Sequence, residues 1–464
     1  MSRDRVSRRD RSGGMLGGMP AAAQALALAL LTAAVPQSRP EPALIVVTPR
    51  AFVPALDAWL ALRRADLPVV VDVLEEVLAA ESGVDDAERV KRRLYARWRD
   101  GARYVLLVGD VGVVPIRSMV LDRVTEPAFD VAFYPCDLYY GDVAEQDGSF
   151  EDWNAAHDGH HAGYFGEVCG EKNKDGPIDL DQVDYLPELA VGRWPVRSFE
   201  EAARIARKTV AFSRARDATP PRTLFVHCDG WIDARPRLDR LGALIAPRHE
   251  VVRCYDGSAD EPRDAAIAAQ LARGTTFVFH AGHGDPGGFD RSLRAHTLLR
   301  ATNFDTLPIV FSIGCSTAVI GPQAPYEAYL DVHGATHRGT NAGEVFRSHP
   351  PPPACRQPRP FDQTSIAERS LRESDGGAIA WIGCDTGAQP CALTLLDGFV
   401  EALARGDAPR LGDAWIAAIR EYHARERLTE LTPTADWYPP SIFFQGMKFV
   451  LLGDPSLEPG PATR

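Results

Sequence analysis

Nowhere does this 464-residue chain offer the run of about 20 apolar residues that a helix needs to cross a bilayer. The nearest approach, Ala21–Val35, falls short of it, so no stable membrane insertion is expected once the leader discussed below is removed. Positive charge is also scarce. Lys and Arg number 51 against 63 Asp and Glu, a net charge of -12, and the arginines are scattered among acids. Without a basic face there is nothing to grip phosphates, and nucleic acid is set aside as a partner. No repeat is tight enough for a solenoid. What the chain does have, 45% hydrophobic and 25% charged residues, is the composition of an ordinary globular protein.

The first 40 residues read as a signal peptide and short leader: "MSRDRVSRRDRSGGMLGGMP" is basic, "AAAQALALALLTAAV" is apolar, and "PQSRPEP" follows. Ser7, Arg8 and Arg9 echo a twin-arginine signal, although Asp10 and Arg11 stand where apolar residues would strengthen it. The expected location is secreted or extracytoplasmic, in the periplasm or cell envelope. Eight cysteines (Cys136, Cys169, Cys228, Cys254, Cys315, Cys355, Cys384, Cys391) are compatible with disulfides there. If one of them is a nucleophile, the odd remainder leaves at least one more unpaired.

Beyond the leader, short apolar runs alternate with amphipathic helical patterns. "ALIVVT", "PVVVDVL" and "YVLLVGD" stand in the first half, and "TLFVH", "TTFVFH", "LPIVFSIG" and "GGAIAWIG" in the second. Strands that are apolar on both faces, separated by helices, predict an α/β protein with a mostly parallel sheet covered on both sides. The Pro-rich "ARDATPPRT" divides an N-terminal subdomain, 41–220, from a second, 221–464, so two sheet units side by side are expected. Residues 137–184, rich in Asp, Gly and aromatics, read as a long solvated loop rather than core. Residues 321–362, ending in "HPPPPACRQPRP", read as a surface insertion.

The chemistry collects at two strand ends. "FVFHAGHGD" (277–285) and "LPIVFSIGCS" (307–316) are apolar runs that stop abruptly in His283-Gly284 and Gly314-Cys315. Ligand sites of open parallel sheets lie at the carboxyl ends of the strands, so an imidazole and a thiol are expected in one crevice. A thiolate attacks a carbonyl carbon, the imidazole manages the proton, and backbone N–H groups hold the oxyanion. Gly284 offers an unobstructed N–H.

These residues resemble the caspase-like cysteine peptidases and, within them, the gingipain-type family. "YLPELAVGRWPVRSFEEAARIARKTVAF", "YVLLVGDVGVVPI", "CDLYYGD", "IAERSLRESDGGAIAWIG" and "FVLLGDPSL" resemble blocks of that family in the same order. The resemblance covers about Ala43 to Leu457. It implies a caspase-like three-layer α/β/α fold whose catalytic subdomain is 221–464. It implies Cys315 as nucleophile, His283 as general acid/base and the N–H groups of Gly284 and Cys315 as oxyanion hole, acting on protein or peptide substrates with no cofactor required for catalysis. Asp229, in "LFVHCDG", takes the place of the acidic residue that orients the histidine. Family members also carry structural calcium, for which Asp137, Asp142, Asp147, Asp152 and Asp158 supply hard oxygen ligands without an EF-hand pattern.

Rival readings exist. His280 competes with His283, and Cys384 with Cys315. His280, His283 and Asp285 are metal-ligand types, but their spacing matches no zinc motif. The "HDGHH" cluster (His157, His160, His161) reads as a solvated loop. Asp285, Asp290 and Asp385 are candidates for a carboxylate that would read a basic P1 side chain, and the sequence does not choose among them. A non-catalytic or self-processing cell-envelope module that retains the fold is the alternative from a different functional class.

Overall fold

The computed structural model describes residues 43–121, 133–153, 164–167, 183–215, 221–228, 230–255, 263–304, 306–320, 328–331, 334–338, 344, 354–356, 364–427 and 445–459. The leader, Asp158, Asp229, Cys169 and the "HDGHH" cluster lie outside them.

The first half runs β1 (Ala43–Thr48), α1 (Asp57–Arg64), β2 (Val69–Val73), α2 (Leu74–Ala80), α3 (Asp86–Arg99) and β3 (Ala102–Val108). A side sheet of β4 (Arg117–Leu121), β5 (Phe133–Cys136) and β6 (Tyr164–Glu167) precedes β7 (Ala190–Trp194) and α4 (Phe199–Arg214). The second half runs β8 (Arg222–His227), α5 (Arg235–Ile245), β9 (Glu250–Cys254), α6 (Arg263–Ala272) and β10 (Phe277–Ala281). A hairpin of β11 (Gly284–Asp285) and β12 (Gly288–Phe289) then leads to α7 (Ala295–Leu299) and β13 (Ile309–Ile313). Three short strands follow, β14 (Tyr329–Asp331), β15 (Thr336–His337) and β16 (Ala354–Arg356), and then α8 (Ile366–Arg372), β17 (Ala380–Cys384), α9 (Leu393–Arg405), α10 (Leu411–Glu426) and β18 (Phe449–Leu452).

The two expected sheet units lie edge to edge as one ten-stranded sheet, ordered β2-β1-β3-β7-β18-β17-β13-β10-β8-β9. The seam is β18, parallel to β7 and antiparallel to β17. Side chains alternate between the two faces with the strand period. Phe277, Phe279, Phe311 and Ile313 join α3, α5, α9 and α10 on one face, whereas Val278 and Val310 join α1, α4 and α8 on the other. Both faces are dry, which is why the strands read as unbroken apolar runs.

The "FVLLGDPSL" block locks the seam. Asp454 accepts from Trp59 Nε1 at 2.9 Å and Arg63 Nε at 2.8 Å, with both ionic side chains buried. A Cβ on Gly192 of β7 would lie 2.3 Å from the Gly453 carbonyl oxygen, so the backbones can meet only if that residue is glycine. Lys208 of α4 ties the first half to the second, its ammonium facing the carbonyls of Ser370 and Leu371 in the last turn of α8 and of Ser374 and Gly376 just after it.

One segment differs from expectation and another gains detail. The start of 137–184 is core rather than solvated loop, because its aromatics have one another to pack against. Tyr139, Trp153 and Tyr185 are buried and meet edge to face at ring separations of 5.1 and 5.0 Å. The insertion 321–362 holds the small sheet of β14 between β15 and β16.

Candidate active site

Parallel pairing sets the site. Strands β10 and β13 are neighbours in register Ala281 to Ile313, so two residues further along each, past the carboxyl edge, come His283 and Cys315. His283 is exposed and Cys315 half-buried, and both are reachable from solvent. The two loops are in contact: a Cβ on Gly284 would lie 3.1 Å from the Cys315 carbonyl oxygen and 2.7 Å from Thr317 Cγ2. Only a glycine lets these loops pass so close.

His283 Nε2 lies 2.8 Å from the Gly230 carbonyl oxygen. A carbonyl can only accept, so Nε2 carries the proton and Nδ1 keeps the lone pair that a general base needs. Asp229, expected to orient the histidine, lies outside the described residues, and the contact seen is with the backbone of its neighbour. Nothing in the sequence signals this, because every residue has a carbonyl.

The turn carrying Cys315 is pinned on its far side. Ser316 holds φ 55, a left-handed conformation unusual for a serine, and its N–H donates to the Thr386 carbonyl at 2.6 Å. Ala318 N–H donates to the Cys384 carbonyl. The Cys315 thiol points to the Ala388 carbonyl at 3.8 Å. Cys136, Cys254, Cys315 and Cys384 are all thiols. Cys384 is fully buried, and burial pushes its thiol far up from the ordinary range, which leaves it inert as a nucleophile.

His280 is fully buried and stacks flat on Phe289 at 3.7 Å. Its Nδ1 meets Ser312 Oγ at 2.9 Å and its Nε2 meets Cys228 Sγ at 3.5 Å. Both nitrogens are engaged, and Asp285 holds Arg294 with both its oxygens at 2.7 and 2.9 Å, so neither side chain is free to share a metal with His283. Burial, with a smaller push from His227, lowers the His280 pKa to about 3. Between that value and about 6.5 the unfolded chain binds the proton and the folded one does not. The stability this group contributes is therefore lost as pH falls through the window. Between pH 7 and pH 5 the wild type should lose about 2 kcal/mol more than His280→Gln, read by urea denaturation at both values. A gap between the two proteins that does not change with pH would show that His280 is protonated within the fold.

The two remaining P1 candidates separate. Asp385 is buried and accepts from Ile320 N–H. Asp290 is partly exposed, its N–H donates to the His283 carbonyl, and its carboxylate lies 3.4 Å from Arg291.

The calcium candidates also separate. Asp137 is bound by both arms of buried Arg193, at 2.8 and 2.7 Å. Asp147 is exposed and caps its own turn at Ser149, and Asp152 is half-buried beside the cluster that follows. Asp142 alone of the four joins a donor set, with Glu151 and Asp184, whose ligand oxygens lie within 4.8 Å of one another. Asp142 Oδ1 and Glu151 Oε2 are buried without a hydrogen-bond partner. Burial raises both carboxyls and lowers the neighbouring Lys91, whose ammonium rests over the rings of Tyr139 and Trp153 at 4.6 and 5.0 Å. Three hard oxygens, two of them unsatisfied, fit a cation such as Ca²⁺.

The sequence profile of peptidase family C25 matches residues 37–460. The chain belongs to peptidase family C25. It is therefore a cysteine-type peptidase of the gingipain family. Among solved structures, the Arg-specific cysteine proteinase gingipain R (RgpB) superposes with a TM-score of 0.59 at 15% identity, covering 91% of this chain and 79% of that one. The complex of Porphyromonas gingivalis RgpB pro- and mature domains gives 0.56 at 14%, covering 89% and 79%. A structure described only as a protease gives 0.58 at 14%, covering 91% and 79%. No curated protein matches the chain. At such identities the likeness to these structures is one of fold, an α/β/α sandwich around a mostly parallel sheet. Among the described residues, no helix of this C25 peptidase is long and apolar enough to cross a membrane.

Proposed function

We propose that this C25 peptidase is an exported endopeptidase working through a Cys315–His283 dyad. The observation that carries the reading is the paired strand ends, which present a reachable thiol and an imidazole whose proton is held on Nε2. His283 Nδ1 takes the thiol proton as Cys315 Sγ bonds to the scissile carbonyl carbon. The resulting oxyanion is held by the N–H groups of Gly284 and Cys315. Collapse breaks the C–N bond, His283 gives its proton to the leaving amine, and water then cleaves the thioester. No cofactor enters these steps. Asp290, partly exposed and tied through its N–H to the His283 carbonyl, is proposed to favour a basic P1 side chain, a preference that also stands in the name of gingipain R.

The test is labelling of the mature protein by acyloxymethyl ketones with Arg, Lys, Asp or Ala at P1, read by intact mass. One equivalent on Cys315, fastest for Arg or Lys, is expected. Labelling fastest with Asp would overturn the P1 assignment, and no labelling of folded protein by any probe would overturn the dyad.

We further propose that Asp142, Glu151 and Asp184 hold a structural calcium that ties the segment after β5 to the loop before β7. At a hundredfold excess over its Kd, calcium should add about 2.7 kcal/mol of stability to the wild type and none to Asp142→Asn, read by thermal melting. Identical melting of the wild type with calcium and with chelator would remove the site.

A further inference from the structure

Behind the dyad runs a chain of polar groups that the proposed hydrolysis does not use. Ser292 Oγ meets Cys228 Sγ at 2.7 Å, Cys228 Sγ meets His280 Nε2 at 3.5 Å, and His280 Nδ1 meets Ser312 Oγ at 2.9 Å. Thr317 Oγ1 then meets Ser312 Oγ at 3.1 Å and the Gly314 carbonyl at 3.2 Å. Ser292 is 2% exposed and the other four side chains 0%. Polar groups sealed this far from water must satisfy one another.

One arrangement of protons serves every contact in the chain. In it the single proton of Thr317 goes to the Gly314 carbonyl, which can only accept, rather than to Ser312. Ser312 must then donate to Thr317 and accept from His280 Nδ1–H, which leaves Nε2 as acceptor for the Cys228 thiol, itself receiving from Ser292. Along the chain the donors then all point the same way. Such chains strengthen each successive bond by polarisation.

The relay ends on the peptide group that matters most to the dyad. The Gly314 carbonyl shares its peptide plane with the Cys315 N–H, one of the two proposed oxyanion donors. A hydrogen bond to that carbonyl fixes the plane and makes the N–H a stronger donor. The methyl of Thr317 occupies the space beside the other donor, since a Cβ on Gly284 would lie 2.7 Å from Thr317 Cγ2. The ring of His280 braces the same turn, with Cε1 3.0 Å from where a Cβ on Gly314 would stand. We infer that Thr317 is the positioning residue of the oxyanion hole, its hydroxyl setting the Cys315 N–H and its methyl setting Gly284, with the buried relay from Ser292 to Ser312 holding it in place. This rests on the assignment of Gly284 and Cys315 as oxyanion donors.

Two variants divide the side chain: Thr317→Val keeps the methyl and loses the hydroxyl, and Thr317→Ser does the reverse. Each is compared with wild type for kcat and KM on a cleaved peptide, for affinity toward a peptide aldehyde, whose hemithioacetal needs the oxyanion hole, and for alkylation of Cys315 by iodoacetamide, which forms no oxyanion. Thr317→Val should lower kcat and aldehyde affinity about tenfold together, a fraction of the loss of a whole donor, with KM and alkylation within about twofold of wild type. Thr317→Ser should recover much of kcat, and Ser312→Ala, one step back in the relay, should show the same signature more weakly. Unchanged kcat and aldehyde affinity in Thr317→Val would overturn the inference while leaving the peptidase reading intact. An equal fall in alkylation would also overturn it, since that marks a disordered turn rather than a weakened donor. A wild-type Cys315 that neither alkylates nor cleaves any peptide would overturn the peptidase reading, and the relay's role with it.

Discussion

Replacing Cys315 by Ala is expected to lower kcat/KM for peptide hydrolysis by about 10⁵- to 10⁶-fold, His283→Ala by a similar factor, and the double variant by no more than the worse single. The equality follows from the proposed dyad, in which nucleophile and base act in one event: an imidazole with no thiol to deprotonate would contribute nothing to acylation, and a thiol without the imidazole would have neither its base nor the acid that protonates the leaving amine. Neither substitution should unfold the protein, because both side chains sit beyond the strand ends, His283 exposed and Cys315 only at the border of the core. Initial rates over a substrate series, with thermal melting as a control on folding, decide the matter. Losses that multiply in the double variant would mean that the two residues act in separate events. Chelator-sensitive activity surviving in Cys315→Ala would restore the metal reading that the engaged nitrogens of His280 and the Arg294-bound Asp285 argue against.

Gly284→Ala should cost about 100-fold in kcat. The added methyl would stand 2.7 Å from Thr317 Cγ2, closer than carbon atoms tolerate, and 3.1 Å from the Cys315 carbonyl oxygen, a tight contact. One of the loops must shift, and either movement displaces an N–H of the proposed oxyanion hole, whose donors work at about 2.7–3.1 Å. Since the misplacement harms the transition state more than the bound substrate, KM should move far less than kcat. Steady-state kinetics resolve the two. A variant whose KM rises while kcat holds would place Gly284 in substrate binding and not in the oxyanion hole.

The strands were readable because burial on both sheet faces leaves no room for polar alternation, and "FVFHA" or "IVFSI" can be little else between helices. The placing of His283 and Cys315 at strand ends was readable for the opposite reason: each apolar run stops abruptly at a residue of another kind, and the pairing of β10 with β13 sets the two ends side by side. What stayed hidden depends on residues distant in the chain. The Gly230 carbonyl that orients His283 has no side-chain signature, and Thr317 looks like any turn residue until Gly284 is seen against it. The acidic segment was legible as a source of hard oxygens, but not which of its carboxylates converge. Asp137 is claimed by Arg193, 56 positions away, while Glu151 and Asp184 come to Asp142 through the packing of Tyr139, Trp153 and Tyr185. Those aromatics were the available sign that the segment is core.

The seam strand also dictates an order of events. During synthesis the N-terminal half of the chain emerges first, and β7 must then wait with an open edge, as must β17 after it. Both edges are closed by the same four residues, Phe449–Leu452, the last strand of the sheet to be made. The contact with β7 joins Arg193 to Leu452 across more than half of the chain, which makes this a late and slow step. Until it happens the nascent protein carries two half-sheets with exposed edges, the condition in which strands pair with the wrong neighbour. A nonsense codon that removed only this strand would not trim the border of the sheet. It would cut the sheet in two.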